Sequence, residues 1–167
     1  IDLGVPSNII NNPLKSLGLS NDYDFEYKED KTFNLRGTKV SIVDKNSNHK
    51  YRKWLDIRQL IITSTLNSLL KKNILNVFQL IAEAESFVHG ISVDKVHFHE
   101  IGCIDSLVDI IGVCAAVEYL KPASIFCEYP PAGSGFVNTS HGRLPIPVPA
   151  VIELAKRHNI TLTSYND

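Results

Sequence analysis

The feature that most constrains the fold is the run from Leu69 to His89. Within it Leu70, Ile74, Val77, Phe78, Ile81, Ala84 and Val88 recur every three or four residues. That spacing lines one face of an α-helix, and Gly90 is a natural stop for it. Such a stripe needs an apolar surface to lie on, so the rest of the chain must supply a core. With 167 residues, 44% of them hydrophobic, it can.

Other segments supply the partners. Ser7 can cap a short helix, "NIINNPLKSL", which Pro13 limits and Gly18 ends. "YDFEYKE" (Tyr23 to Glu29) and "FNLRGTKVSIVD" (Phe33 to Asp44) alternate in character with the period of half-buried strands, which suggests an antiparallel hairpin. "KNSNHKYRK" reads as a mobile polar loop, and Asp56 to Asn67 as a helix. The second half gives "KVHFH" as a short strand, Ile104 to Leu120 as a helix and "SIFCEY" as a strand. A Gly/Pro loop and a helix from Val148 to His158 follow, with Pro149 in its first turn. The expected class is α/β or α+β, a small mixed sheet with packed helices and an antiparallel hairpin in the first half. Residues 1–92 form a helix, hairpin and two-helix region, and 93–167 a βαβα-like region. Together they read as one compact domain of a longer protein, since the chain contains no Met and both ends look cut.

Charge narrows the function. Seventeen basic and 18 acidic residues leave a net charge of -1, which predicts neither nucleic-acid binding nor attraction to an anionic membrane. No apolar run is long enough to span a bilayer, and no signal segment opens the chain. Three cysteines without a CxxC pair read as reduced thiols of a cytoplasmic protein.

Chemistry concentrates in "VHFHEIGCIDSLVDIIG", Val96 to Gly112. Strand alternation points His97 and His99 the same way, about 7 Å apart at Cα, a pair that can meet one metal ion. Glu100 then sits at the strand end, and Gly102 lets the chain turn. Asp105 and Asp109, four apart, share a helix face. Among so many apolar neighbours Asp109 needs a partner if it is buried. Simpler roles compete: Ser106 and Asp109 have the spacing of a capping box, Asp105 suits a helix N-terminus, and Cys103 fits the core. A second cluster is "PPAGSGFVNTSHGRLPIPVP". Gly133, Ser134 and Gly135 form a short loop whose backbone N–H groups can approach an anion, or an ordinary turn. His141 is a candidate to converge on His97 and His99, and Arg143 to hold a phosphate or carboxylate.

These two stretches, with "RGTKV" (Arg36 to Val40) and "AEAESFVHG" (Ala82 to Gly90), resemble the nickel insertion protein family. The resemblance runs along most of the chain and implies a nickel-inserting lyase, a chelatase or cyclometallase. Its substrate would be pyridinium-3,5-bisthiocarboxylic acid mononucleotide and its product the nickel-pincer cofactor of lactate racemase. CTP and a divalent metal, Mg or Mn, would be required, with CTP used by a C-terminal domain that this chain lacks. The fragment alone is therefore expected to be inactive. Family members also carry a Gly- and Asp-containing N-terminal segment and often a histidine run after the hairpin, where this chain has only His49. Imidazoles suit nickel, so His97, His99 and His141 are the expected metal donors. Carbon metallation must remove a ring proton, for which Glu100 and then Asp105 are the candidate bases. Asp109 stands behind them, and Gly133 to Gly135 would hold the phosphate. A metallochaperone that only delivers nickel and a scaffold whose polar cluster pins a turn are the alternatives. A homo-oligomer stays open, because nothing in the sequence sets an oligomeric state.

Overall fold

The apolar stripe does become a helix, and the rest of the chain is arranged around it. The computed structural model describes residues 1–45, 52–99 and 101–163. Its elements run α1 (Ser7–Ser16), β1 (Tyr23–Thr32), β2 (Leu35–Asp44), β3 (Arg52–Lys53), α2 (Trp54–Thr63) and α3 (Ser68–His89). After a 3-10 turn (Val93–Lys95) come β4 (His97–Phe98), α4 (Ile104–Leu120), β5 (Phe136–Thr139), β6 (Gly142–Pro145) and α5 (Pro149–Arg157). This is the expected mixed class with an antiparallel hairpin in the first half. Strands pair two by two, β1 with β2, β3 with β4 and β5 with β6, each pair antiparallel.

Both ends of α3 are set locally. The Asn67 side chain accepts the Leu70 N–H at 2.9 Å, which satisfies one donor that the first turn leaves free. Gly90 closes the helix with φ 63°, a left-handed conformation that suits glycine. In between, Leu70, Ile74, Phe78 and Ala82 are buried one turn apart. Val88 lies outside that face and is exposed.

Three aromatic rings tie the core together. Trp54 opens α2, Phe78 lies in α3 and Phe98 is in β4; all three are at most 2% exposed. Their ring centroids are 6.2–6.5 Å apart, within the range where aromatic pairs add stabilisation to their burial. Leu14 from α1 and Ile57 and Ile61 from α2 extend the same cluster. So do Leu107 and Ile111 from α4. Helix α1 comes close to α4 because Gly112 has no side chain: a Cβ there would sit 3.0 Å from Ile10 Cγ2.

Several local expectations change. Ser7 is the first helical residue, not the cap; Pro6 precedes it and no side chain caps the helix. Helix α2 starts earlier and ends at Thr63, where the Ser64 hydroxyl donates to the Ile61 carbonyl and competes with a further turn. Most of the loop expected in "KNSNHKYRK", His49 included, lies outside the described residues. Arg52 and Lys53, however, are strand β3. The Arg52 side chain is only 11% exposed; it donates to the Gly102 carbonyl at 3.1 Å and reaches the Asp22 carboxylate at 3.5 Å. "SIFCEY" is exposed and forms no strand. Among the described residues it has no ladder partner, and Pro130 and Pro131 beyond it lack N–H groups. Its continuation meets one parallel bridge, Pro131 to Thr163.

If the aromatic cluster carries the core, Phe98→Ala should lower unfolding stability by about 3–5 kcal/mol, with Phe98→Leu costing clearly less. Urea unfolding followed by tryptophan fluorescence measures this through Trp54. Equal stability of Phe98→Ala and wild type would exclude the role.

Candidate metal and substrate site

The histidine-bearing strand is short because the chain turns at once. Phe98 pairs with Arg52 and His97 with Lys53. Alternation puts Phe98 inside and His97 outside. The ladder stops there, and His99 enters the turn half-buried. Gly102 folds back onto the two strands. A Cβ at that position would lie 2.6 Å from the Phe98 carbonyl oxygen and 2.7 Å from the Arg52 nitrogen, so only glycine fits. Cys103 is half-buried with its Sγ 3.7 Å from the His99 carbonyl oxygen, and it precedes α4.

His99 does meet His141. Their ring centroids are 4.8 Å apart, edge to face. His141 occupies the two-residue tip between β5 and β6, where its backbone N–H donates to the Thr139 hydroxyl at 3.1 Å. A third ring, from the end of α3, also lies there. His89, the last residue of α3, has its centroid 4.8 Å from that of His141. Its Nε2 is 3.3 Å from Glu85 Oε2, one turn back on α3. His97 is exposed and makes no ring contact among the described residues. The signal for His89 was the Glu85/His89 pair at i, i+4 inside "AEAESFVHG", a segment already marked by its resemblance. No set of three His, Cys, Asp or Glu side chains among the described residues stands as a ready coordination shell. The His141 ring packs against the other two instead.

The acidic candidates separate. Glu100 lies outside the described residues. Asp105 sits in the first turn of α4, exposed, and its carboxylate accepts the Ser106 N–H at 2.7 Å. That is the helix N-terminus role. Ser106 is inside the helix, so the capping box is not formed; Cys103 is the N-cap residue and makes no side-chain cap. Asp109 is exposed too, which removes the need for a buried partner. Partial desolvation, and secondly the Asp105 carboxylate, raise its pKa above the ordinary value. Burial raises the Cys114 thiol as well. All three cysteines are free thiols.

The anion candidates share the hairpin with His141. Gly133 and Gly135 have φ 74° and 91°, and with Ser134 they are exposed. A Cβ on Gly133 would meet Ile146 Cγ2 at 2.8 Å, and the Gly135 carbonyl accepts the Ile146 N–H at 3.0 Å. This loop forms the base of the β5–β6 hairpin, roughly 15 Å from its tip at strand rise. Arg143 lies between them on β6, its guanidinium 4.2 Å over the Phe136 ring.

Comparison with known proteins bears on what such a site serves. The nickel insertion protein family model matches residues 1–167. The chain belongs to the nickel insertion protein family. A relative from Akkermansia muciniphila, named pyridinium-3,5-bisthiocarboxylic acid mononucleotide nickel insertion protein, is 36% identical over 97% of this chain and 42% of its own length. Proteins of the same name from Clostridium acetobutylicum and Clostridium kluyveri are 33% and 36% identical. Each match covers 93% of this chain, and 45% and 42% of the relative respectively. The chain thus spans less than half the length of these relatives. No solved structure matches it. Among the described residues, no helix is long and apolar enough to cross a membrane.

The Asp105/Asp109 pair has a measurable signature. A carboxyl with a raised folded-state pKa costs nothing below its unfolded value, here 3.8, where both states are protonated. The cost appears as pH rises through the folded pKa. Asp109→Asn should therefore match wild type in stability below that pH. At pH 7 it should be more stable by about 0.2–0.5 kcal/mol, the size of a like-charge i, i+4 pair. Urea midpoints across pH test this; a gain confined to acid pH would contradict it.

Proposed function

We propose that this chain supplies the metal-handling part of a protein that inserts nickel into pyridinium-3,5-bisthiocarboxylic acid mononucleotide. The observation that carries the reading is the meeting of His99 and His141, 4.8 Å apart at the ring centroids on elements distant in sequence. It occurs in a chain whose relatives bear that activity in their name. Imidazole nitrogens are apt donors for nickel, and the cluster is partly open to solvent, as loading a cargo ion requires.

Roles in the reaction follow from residue type and position. His99 and His141 hold the incoming ion, while His97 faces outward from β4. Glu100 and then Asp105 are the bases for the ring proton that carbon metallation releases. Asp109 adds negative charge one turn behind. The backbone of Gly133, Ser134 and Gly135, with the Arg143 guanidinium beside it, receives the substrate phosphate. CTP and Mg or Mn belong to the reaction of the longer protein, which we place in the cytoplasm, and a homo-oligomer is compatible with it. The chemistry is that of a nickel-inserting lyase, and the 167-residue chain alone is inactive in this reading.

Cofactor formation by the full-length protein, with nickel, CTP and the mononucleotide supplied, tests this. His99→Ala and His141→Ala should each lower the rate at least about 10-fold, the scale at which disturbing a metal site is felt, while leaving the fold intact by circular dichroism. Unchanged rates in both variants would sink the proposal. A protein that binds nickel but forms no cofactor in this assay would instead be a metallochaperone.

A further inference from the structure

The unabsorbed residues are His89 and Glu85, which the sequence offered only as the end of a helix. We infer that His89 is the third imidazole of a nickel-docking site shared with His99 and His141, and that Glu85 is its positioning residue. The inference rests on the nickel reading above and deepens it.

Geometry carries it. Consider two imidazoles bound to one first-row ion through nitrogens about 2.1 Å from the metal, at angles between square-planar and tetrahedral. Their ring centres fall about 4.6–5.3 Å apart. His141 stands at 4.8 Å from His89 on one side and 4.8 Å from His99 on the other. The two ring spacings therefore suit a shared ion, with the nitrogens turned aside from it. Rotation about the last side-chain torsion of histidine, which is broad and soft, is the motion that would aim them. The three residues come from the C-terminal turn of α3, the end of β4 and the tip of β5–β6, so no one element makes the site. His97, paired with Lys53, is on the other side of Phe98 in sequence and takes no part.

Glu85 gives His89 a defined role. Its Oε2 lies 3.3 Å from His89 Nε2. Once the ring turns so that a neutral imidazole gives its Nε2 proton to this nearby carboxylate, its lone pair is on Nδ1, which is then the metal donor. A carboxylate behind a ligating imidazole fixes the tautomer and raises ligand basicity. Both residues are on the outer turn of α3, with 32% and 21% of their side chains exposed, so an ion can reach them without unfolding.

Nickel(II) titration of the full-length protein by calorimetry, with nickel K-edge absorption to count imidazoles, tests the assignment. Wild type should bind with three imidazoles. His89→Gln should weaken binding at least about 10-fold and leave two, and Glu85→Gln should weaken it by about 10-fold. His97→Gln should bind as wild type does. Wild-type affinity and imidazole count in His89→Gln would overturn the inference while leaving nickel docking at His99 and His141 standing. An equal loss in His97→Gln would also overturn it, by moving the third donor to the strand. No nickel binding by wild type would bring down the docking reading itself, and the inference with it. Far-UV circular dichroism of each variant separates lost ligands from lost structure: weakened binding with unchanged helicity supports the role, and weakened binding only where helicity is lost overturns it.

Discussion

The burial of Phe98 is the constraint on which the rest depends. Strand β4 has two residues, too few to be held by its ladder alone. The strand stays in place because Phe98 packs against Trp54 and Phe78, the first residue of α2 and the middle of α3. One anchor places the histidine on each side of it: with Phe98 inward, His97 on the strand faces out, and His99 follows directly in the turn, half-buried. Arg52 and Gly102 add a second restraint from behind. The guanidinium bonds the glycine carbonyl, and the glycine's missing side chain lets the turn lie against both strands. Hydrophobic packing therefore sets where the polar chemistry is presented, with the Arg52 bond as its support.

Much of this was legible from periodicity. Helix α4 begins at Ile104 and ends at Leu120, the bounds its apolar pattern predicts, and α3 ends at His89 before Gly90. The first hairpin was visible because ten-residue strands leave a long alternating record; only its turn was misplaced, at Phe33 and Asn34, whose positive φ values make them the corner. "SIFCEY" shows where the method fails. Its β-branched and aromatic content fits a strand, but a strand needs a neighbour, and the local sequence holds no information about one.

The candidate site was half legible for a related reason. His99 was singled out by strand alternation and His141 by residue type and loop context, and the fold brings them together. His97 was grouped with His99 by a strand alternation that ends one residue too early to apply. His89 was passed over because a histidine in the last turn of a helix already has a sufficient local explanation, a positive end group beside the helix dipole. Its contact with His141 depends on tertiary structure. Asp109 shows the reverse error: flanking apolar residues suggested burial, yet it faces outward on α4, and only alternate stretches of that helix enter the core.

The β5–β6 hairpin has one more consequence, and it concerns time. Its strands are four residues each and largely exposed, whereas β4 and α3 are tied into the core. Local opening costs least where few buried contacts must be broken. His141 therefore rides on a segment that can swing away while His89 and His99 stay fixed to a folded body. Whatever the three rings hold together has a lifetime set by the opening of a small hairpin, not by the unfolding of the protein. For the proposed insertion of nickel into a substrate, such a hinge would set how soon the ion is surrendered.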